Sequence, residues 1–451
     1  MTINTRELAY RILHKIDVDK GYANITVNKF LERKDISKAD RSFITQIVYG
    51  VLRHKGTLDW VIHQFTKNKF KKIKPNVLII LRIGLYQIMF MDRVPVSAAC
   101  NESAKLARSF AHEGIVKFVN GVLRNISRNI GDIKWPDYDQ DPASYIAVKF
   151  SHPKWLVEKW IKQFGVEATK GICEENNKPA TTWIRCNTMK TNRVQLFECL
   201  EANGVKCIES ELVPEGIAIS GYDSLGRIDQ FKEGLFTAQD ESSMIVGHVL
   251  APKPETVVID ACSAPGGKTT HLAQLMQDKG SILAYDIHPH KIDLVNQNAQ
   301  RLGLSSIKVE VADATELHNK VTNQVDYVLV DVPCSGTGVI GRRADARWNK
   351  TLDSITEVTK LQYNIITSAS KCVKPGGVLV YSTCSIEPEE NLELVERFLR
   401  ENKNFKMENI IELLTFNPKE EDKIMAKKGY FQFLPHKHKT DGFFVCRLRK
   451  I

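Results

Sequence analysis

Short apolar runs alternate with amphipathic helical segments from Pro254 to the end of the chain. The runs have the length and β-branched content of strands. They occupy 256–261, 281–286, 307–312, 325–331 and 377–383, with a late pair near 404–411 and 442–448. Regular alternation of strand and helix is typical of a mostly parallel sheet that is covered by helices on both faces. The pattern therefore predicts a Rossmann-like, doubly wound α/β domain over 251–451.

The residues before this domain have other periodicities. From Arg6 to about Ile130, apolar residues recur at spacings of three and four, which predicts an all-α domain over 1–131. Residues 132–144 break that period with several prolines and aspartates, as a linker does. Residues 145–250 mix short helices with strands, and we expect a small α+β subdomain there. Three domains suit a chain of 451 residues.

The positive charge of the chain is concentrated in its first third. Residues 1–150 hold 25 Lys and Arg against 14 Asp and Glu, whereas residues 151–451 have a net charge of −1. A positive block of this kind attracts a phosphate backbone. A solvated helical surface explains the charge equally well.

Cysteine usage and hydropathy indicate the compartment. The ten cysteines show no paired spacing and no C-x-x-C, which argues against a disulfide framework and a zinc knuckle. No apolar run approaches the length of a membrane span, and Met1 to Tyr10 is not followed by the apolar segment of a secretory signal. We expect a cytoplasmic protein with free thiols and no membrane contact.

The first strand of the α/β domain runs directly into a glycine turn and then a helix. The turn reads Cys262-Ser-Ala-Pro-Gly-Gly-Lys-Thr269. A Walker A loop requires glycine where Cys262 stands, and a dinucleotide fingerprint requires G-x-G-x-x-G, which is absent. S-adenosylmethionine is the remaining candidate cofactor, since its methionine part can lie over such a turn without a pyrophosphate. The predicted cofactor contacts in the turn are Cys262, Ser263, Ala264, Pro265, Gly266, Gly267 and Lys268.

Acidic residues end three successive strands of this domain. Asp286 ends the second strand, 19 residues after Gly267, close to the separation at which an acid meets ribose hydroxyls. Asp313 ends the third strand and Asp331 the fourth. A single Asp at a strand end is more often a turn or capping residue. Several beside a glycine turn predict a cofactor crevice, with Asp286, Asp313 and Asp331 among its contacts.

Two cysteines follow the fourth and fifth strands. Cys334 lies in Asp331-Val-Pro-Cys-Ser-Gly-Thr-Gly338, and Cys384 lies in Tyr381-Ser-Thr-Cys-Ser385. A free cysteine is usually a small apolar filler. The fourth and fifth strands are neighbours in the usual order of this fold, so we expect both thiols to reach one pocket beside the cofactor.

Thiols in this position suit methylation of carbon 5 of a cytosine. That carbon is too weak a nucleophile to take a methyl group directly, but addition of a thiolate at carbon 6 makes it enamine-like. The adduct must afterwards lose the carbon 5 proton and release the cysteine, which requires a base. Asp331 is suited to hydrogen bond the nitrogen edge of the ring. Spacing leaves open which cysteine is the nucleophile.

These motifs resemble the RNA cytosine-C5 methyltransferase family, and the resemblance covers nearly all of the chain. Ala264-Pro-Gly-Gly-Lys268, the Pro-Cys and Thr-Cys motifs and the late Thr440-Asp-Gly-Phe-Phe444 follow the family's order and spacing. The resemblance implies a class I S-adenosylmethionine methyltransferase with Cys384 as nucleophile and Cys334 assisting breakdown of the adduct. It also implies that the glycine turn, Asp286, Asp313 and Asp331 hold the cofactor.

The N-terminal motifs resemble a NusB-like RNA-binding domain, as found fused to bacterial small-subunit rRNA methyltransferases of this family. They are Val48-Tyr-Gly-Val-Leu-Arg53, Leu58-Asp-Trp60, Leu81-Arg-Ile-Gly-Leu-Tyr86, Asn101-Glu102 and Asn120-Gly-Val-Leu-Arg124. The resemblance implies 16S rRNA, free or in an early assembly intermediate, as the partner of a monomeric enzyme. Two alternatives stay open: the same chemistry on tRNA or large-subunit rRNA, and a non-catalytic RNA-binding assembly factor.

Four histidines and two further polar residues carry weaker signals. His288, His290, His436 and His438 stand in alternate pairs without a carboxylate or cysteine at ligand spacing, so we predict no metal site. By the resemblance, Arg185 and Asn187 are candidate RNA contacts. Structural hydrogen bonding by these two residues is an equal alternative.

Overall fold

The computed structural model of the chain describes residues 4–32 and 35–451, without the side chains of 67–69. Residues 1–3, on which part of the leader prediction depends, lie outside this description. The chain divides into two compact units. One consists of Met1–Pro179 with Ile340–Asn349, and the other of Ala180–Val339 with Lys350–Ile451.

The first unit is helical in its described residues. Its helices are α1 (Thr5–Asp17), α2 (Ala23–Leu31), α3 (Lys38–Arg53), α4 (Lys55–Thr66), α5 (Pro75–Phe90), α6 (Val96–Phe110), α7 (Glu113–Arg128), α8 (Pro142–Lys149), α9 (Lys154–Phe164) and α10 (Val166–Glu175). Helix α5 is buried along almost every face from Val77 to Gln87, as a central helix must be. Its Arg82 pairs with Asp59 at 2.7 Å and with Asp17 at 2.8 Å, so this buried charge is compensated.

The first unit extends beyond the linker that the sequence predicted at 132–144. Helices α8 to α10 belong to it because they bond to the bundle: the Thr57 hydroxyl donates to the Val148 carbonyl at 2.7 Å, and the Gly56 amide donates to Ser151 Oγ at 2.8 Å. The N-terminal part of the first unit therefore ends at Pro179. No helix among the described residues is both long and apolar enough to cross a membrane.

The second unit begins with a small antiparallel sheet. Its strands are β1 (Thr182–Cys186), β2 (Lys206–Glu209), β3 (Gly216–Ser220) and β4 (Phe236–Ala238), in the order β2-β3-β1-β4. Helices α11 (Arg193–Ala202) and α12 (Asp229–Lys232) accompany it, and α13 (Glu241–Leu250) leads into the larger sheet. Ile184, Leu196 and Phe236 form part of a core between this sheet and its helices.

The large sheet confirms the mostly parallel α/β fold that the sequence predicted. Its strands are β5 (Thr256–Asp260), β6 (Gly280–Asp286), β7 (Ile307–Val311), β8 (Val325–Asp331), β9 (Val373–Thr383), β10 (Phe405–Met407), β11 (Tyr430–Phe433) and β12 (Phe443–Lys450). Its helices are α14 (Gly267–Leu275), α15 (Pro289–Leu302), α16 (Leu352–Cys372), α17 (Leu392–Glu401), α18 (Glu420–Lys428) and α19 (Pro435–His438).

The strand order places the switch point of the sheet beside β5. The order is β10-β12-β9-β8-β5-β6-β7, with β11 paired to β12, and the strands from β9 to β7 are parallel. The chain proceeds outward from β5 to β6 and β7, and then returns to the other side of β5 with β8. Ligands bind at the carboxyl ends of the strands at such a point.

Candidate active site

The glycine turn after β5 is shaped by local backbone requirements. Gly266 has φ +99°, and its amide donates to the Ser263 carbonyl at 2.8 Å. A Cβ atom at position 266 would lie 3.2 Å from the Cα atom of Val295 on α15. Glycine is therefore required both by the left-handed conformation and by the close helix. The Ser263 amide donates to the Tyr285 carbonyl at 2.8 Å and fixes the turn against β6.

Polar atoms around the turn suit a ligand. Asp260 Oδ1 and Ser263 Oγ are buried and have no hydrogen-bond partner among the described residues. Asp286 accepts from the His288 amide at 2.9 Å, and Asp313 accepts from the Thr315 amide at 2.8 Å. Both aspartates therefore stabilise the turn that follows their strand, as aspartates at strand ends often do. These bonds use one carboxylate oxygen of each aspartate, and the second oxygen remains for a ligand.

The acids surround Cys262. Burial raises the pKa of its thiol well above the ordinary value, and the negative charges of Asp260, Asp331, Asp286 and Asp313 raise it further. A crevice with this many carboxylates favours a cationic ligand. S-adenosylmethionine fits that requirement, because it carries a sulfonium and an ammonium group, and the turn and the three strand-end acids would hold it.

Asp331, at the end of β8, is held on both carboxylate oxygens. Lys268 Nζ lies 2.7 Å from Oδ2, and the Ser382 hydroxyl donates to Oδ1 at 2.7 Å. Burial alone would lower the pKa of Lys268, but the Asp331 charge and hydrogen bond outweigh it and the pKa is raised. The ammonium also lies 5.3 Å from the centre of the Phe443 ring, which places the late Thr-Asp-Gly-Phe-Phe motif beside the site.

The two cysteines are in contact, as the order of the strands predicted. Cys334 Sγ lies 2.9 Å from Cys384 Sγ. The hydrogen bond with Cys384 and burial raise the pKa of Cys334 well above its ordinary value, and the charges of Cys384, Glu390 and Asp331 raise it further. The arrangement therefore favours the protonated form of the Cys334 thiol.

The glycines of two motifs allow the Pro-Cys segment and the late Thr-Asp-Gly-Phe-Phe segment to pack closely beside the Cys384 segment. The Gly338 amide donates to the Cys384 carbonyl at 3.1 Å, and the Gly442 amide donates to the Gly338 carbonyl at 2.9 Å. A Cβ atom at position 338 would lie 1.9 Å from the Gly442 carbonyl oxygen. The backbones thus meet where no side chain has room.

Sequence reasoning missed two acids of the site, Asp260 and Glu390. Asp260 ends β5 and accepts from the Thr269 hydroxyl at 2.7 Å. Glu390 lies in a charged stretch, Pro388-Glu-Glu-Asn391, that resembles an exposed turn, yet its side chain is fully buried beside both cysteine segments. The strand-end position was the available signal for Asp260, whereas no local pattern marks Glu390.

The interpretation of Arg185 and Asn187 as RNA contacts was wrong, because both residues are fully buried. Arg185 donates to the Gly267 carbonyl at 2.7 Å, to Thr270 Oγ1 at 2.9 Å, and to the side chains of Gln239 and Gln274. Asn187 donates to the Gly234 and Leu302 carbonyls. Both residues are structural, and Arg185 supports the helix that begins at the glycine turn.

A histidine cluster on the same unit contains Glu215, His248 and His271. Glu215 Oε1 lies 2.9 Å from His248 Nε2 and 2.7 Å from His271 Nε2. Two ligands of one tetrahedral zinc ion, each bonded at about 2.1 Å, lie roughly 3.4 Å apart. The shorter distances are those of direct polar contacts, and we assign no metal to the cluster.

Three family models match the chain. They are the 16S rRNA methyltransferase RsmB/F family over residues 247–449, the NusB family over 3–128, and the RsmF/B-like ferredoxin-like domain over 152–223. The matches cover the large sheet, the N-terminal helices and a segment that includes the first strands of the small sheet. They confirm the family and the N-terminal domain that the motifs predicted.

Relatives match over their whole length. A probable ribosomal RNA small subunit methyltransferase B of Bacillus subtilis is 36% identical over 99% of both chains. The ribosomal RNA small subunit methyltransferase B of Proteus mirabilis is 30% identical, again over 99% of both chains.

Solved structures match as well. The crystal structure of PH0851 has a TM-score of 0.83 and 28% identity over 100% of both chains. NSun6 from Pyrococcus horikoshii, solved with SFG, has a TM-score of 0.59 and 28% identity over 66% of this chain and 98% of its own. Together with the family models and the full-length relatives, these matches show that the chain belongs to the 16S rRNA methyltransferase RsmB/F family, whose cofactor is S-adenosylmethionine.

Proposed function

We propose that the chain methylates carbon 5 of a cytosine in 16S rRNA through a covalent bond between Cys384 and carbon 6 of the base. The observation that carries the proposal is the contact between Cys334 and Cys384 beside the Asp331 and Lys268 ion pair. The relatives reported above are named for the small ribosomal subunit, which supports the choice of RNA. The enzyme acts as a cytoplasmic monomer on free rRNA or an early assembly intermediate.

Cys384 begins the reaction as the nucleophile. Its thiolate sulfur forms a bond to carbon 6, and the electron pair of the ring double bond moves toward carbon 5. Asp331 hydrogen bonds the nitrogen edge of the ring, where the electron density changes, and Lys268 and Ser382 hold its carboxylate in place. S-adenosylmethionine bound in the crevice supplies the electrophilic methyl group that carbon 5 takes up.

Cys334 serves the second half of the reaction. The hydrogen bond to Cys384 is the largest contribution to its high pKa. That bond and the charge of Cys384 are both lost once Cys384 is bonded to the base, so the Cys334 thiol becomes easier to ionise in the adduct. The Cys334 thiol gives its proton to solvent, and the resulting thiolate takes the proton from carbon 5. The double bond between carbons 5 and 6 then re-forms, and Cys384 leaves as a thiolate when its bond to carbon 6 breaks.

The target cytosine must leave its stack before this chemistry begins, because the thiol and the methyl donor approach the ring out of its plane. Unpaired or loop RNA meets that requirement at the lowest free-energy cost. Deproteinised rRNA is therefore a better substrate than a mature subunit, in which helices and proteins cover the target.

The test compares variants on deproteinised small-subunit rRNA from a strain that lacks the gene, with labelled S-adenosylmethionine. Cys384→Ala removes the nucleophile, and we expect neither methylation nor a covalent complex. Cys334→Ala blocks release, and we expect a protein–RNA adduct that survives denaturing electrophoresis. Cys199→Ala is the matched control, because Cys199 is a free cysteine on α11, which accompanies the small antiparallel sheet. It should behave as wild type.

Three outcomes contradict different parts of the proposal. An active Cys384→Ala enzyme would show that the nucleophile is another residue. Labelling of tRNA or large-subunit rRNA in place of small-subunit rRNA would support the proposed chemistry and contradict the proposed substrate. Absence of any transfer by wild type would favour the non-catalytic RNA-binding alternative.

A further inference from the structure

We propose that Glu390 is the positioning residue that holds the two cysteine segments together, so that both thiols address one base. The inference rests on the proposed covalent mechanism. The Glu390 side chain has no exposed surface. A buried carboxylate is costly unless each oxygen accepts hydrogen bonds, so its partners indicate what it stabilises.

Both cysteine segments donate to this one carboxylate. The Ser335 amide donates to Oε2 at 2.8 Å, and the Ser335 hydroxyl donates to Oε1. The Ser385 hydroxyl donates to Oε1 at 2.7 Å. Ser335 directly follows Cys334, and Ser385 directly follows Cys384. Glu390 therefore links the residues that come after each of the two thiols.

Helix α16 completes the arrangement. Gln362 Nε2 donates to Glu390 Oε2 at 2.8 Å and to the Pro333 carbonyl at 3.0 Å. Pro333 directly precedes Cys334. The Cys334 peptide is thus held on both sides, by Gln362 before it and by Glu390 after it.

Asn391 holds the Cys384 segment from both sides in a similar way. The Thr383 hydroxyl donates to Asn391 Oδ1 at 2.6 Å, and Asn391 Nδ2 donates to the Ser385 carbonyl at 2.9 Å. Two consecutive buried side chains, Glu390 and Asn391, therefore bracket Cys384. The short stretch after β9 folds back onto the peptide that carries the nucleophile.

The charge of Glu390 has an effect of its own. The donors named above are neutral groups, and the carboxylate charge contributes to the raised pKa of Cys334. Charged acceptors also form hydrogen bonds about twice as strong as neutral ones. Glu390 therefore combines two effects on one thiol: it fixes the position of Cys334, and it favours the protonated form.

The experiment uses Glu390→Gln in the full-length enzyme. Glutamine has the same shape and still accepts from the Ser335 amide and Gln362, while its NH2 group can face the two serine hydroxyls, which accept as well as donate. The variant should therefore fold. Glu393→Gln is the matched control, because Glu393 is an exposed glutamate on the next helix.

The first readout separates formation of the RNA adduct from its release. We expect Glu390→Gln to slow release by roughly tenfold to a hundredfold, because a neutral amide holds the two segments by weaker hydrogen bonds and small misplacements of reacting groups have effects of that size. Ser335→Ala, which changes only the Cys334 side, should slow release more than formation. Ser385→Ala should slow formation more than release. An unstable but otherwise normal enzyme would lower both in proportion to its folded fraction.

The second readout needs no turnover. Alkylation of Cys334 by iodoacetamide, followed by peptide mass spectrometry across pH, reports ionisation of its thiol. Removal of the carboxylate charge should move this profile to lower pH in Glu390→Gln, whereas Ser335→Ala, which keeps the charge, should move it less.

The outcomes separate this inference from the proposed function. If wild type forms the adduct and Glu390→Gln matches Glu393→Gln in release rate and alkylation profile, the role of Glu390 is overturned and the mechanism stands. If Ser335→Ala and Ser385→Ala slow the same step equally, the division between the two segments is overturned. If wild type forms no adduct, the proposed mechanism fails, and an unshifted alkylation profile then also overturns the role of Glu390.

Discussion

A single buried carboxyl group, Asp260, carries an unusual protonation equilibrium. Burial raises its pKa to about 7, although the Thr269 hydroxyl bond lowers it. The folded-state pKa lies above the ordinary value of 3.8, so folding favours the protonated acid. The contribution of this group to stability is complete below pH 3.8 and is lost as the pH rises through 7.

Asp260→Asn should remove this pH dependence. Asparagine keeps an acceptor for Thr269 and cannot ionise. Wild type should therefore lose on the order of 4 kcal/mol of unfolding free energy relative to the variant as the pH rises from about 4 to 8. Urea unfolding of both proteins at several pH values measures the difference. Asp229→Asn, at an exposed residue of α12, is the control. Parallel profiles for wild type and Asp260→Asn would show that Asp260 titrates normally.

Lys268 is the second residue with a distinct electrostatic effect. Its ammonium pairs with Asp331, and its charge interacts favourably with Cys384. Lys268→Met removes a positive charge that stabilises the thiolate. We expect adduct formation to require a higher pH, with the half-maximal rate displaced upward by about one unit. Lys279→Met provides the comparison, since Lys279 is exposed and directly precedes β6. An unchanged pH profile would show that Lys268 does not contribute to activation of the nucleophile.

At the scale of elements, Arg185 joins β1 to the start of α14. Burial lowers its pKa to about 9, so it stays charged at neutral pH. Replacement by Met would leave the side-chain oxygens of Gln239 and Gln274 without their donor in a buried space, and would remove one of the bonds to the Gly267 carbonyl. The glycine turn depends on the position of that helix. Arg185 therefore connects the small sheet to the cofactor crevice.

Arg185→Met should weaken cofactor binding and the fold together. We expect a loss of about 3 kcal/mol of unfolding free energy and weaker binding of S-adenosylmethionine by calorimetry, from unsatisfied buried acceptors. RNA binding without cofactor should change little. Lys206→Met, at an exposed position of β2, controls for charge alone. A variant that loses only RNA affinity would restore the RNA-contact interpretation.

At the scale of the whole molecule, the chain passes between the two compact units three times. It leaves the first unit after Pro179, returns at Ile340, and leaves again after Asn349. The returning segment is anchored by Arg347, which is fully buried and donates to the carbonyls of Arg53, Ser151 and Asn176. The Ala23 amide, at the start of α2, donates to Asp345 in the same segment.

Arg347→Met should therefore destabilise the first unit, although Arg347 lies between β8 and β9 of the large sheet in the sequence. We expect faster amide hydrogen exchange in α3, α8 and α10, while β5 to β9 keep their protection, because the lost bonds belong to the helical unit. The neighbouring exposed Arg343, changed to Met, is the control. Uniform loss of protection in both units would contradict this assignment.

How much of the fold and of the candidate site could be predicted from the sequence depends on how local each sequence signal is. Strand periodicity located β5 to β9 and their carboxyl ends, and strand order then brought Cys334 and Cys384 together. Burial of charged residues was not predictable, because the partners of Arg185, Arg347 and Glu390 are distant in sequence. The short strand β11 was missed, since its pairing with β12 depends on tertiary contact more than on its own four residues.

The contact between the two thiols should also make the protein sensitive to oxidation. An oxidant that removes two electrons and two protons from Cys334 and Cys384 would join them as a disulfide with little movement of the chain, and both thiols would then be blocked in one event. Mild peroxide should abolish methyl transfer, dithiothreitol should restore it, and mass spectrometry should find the peptides of the two cysteines linked. Persistent activity with that disulfide in place would show that neither thiol reacts. A cell under oxidative stress would thus lose this rRNA modification reversibly, without destroying the protein.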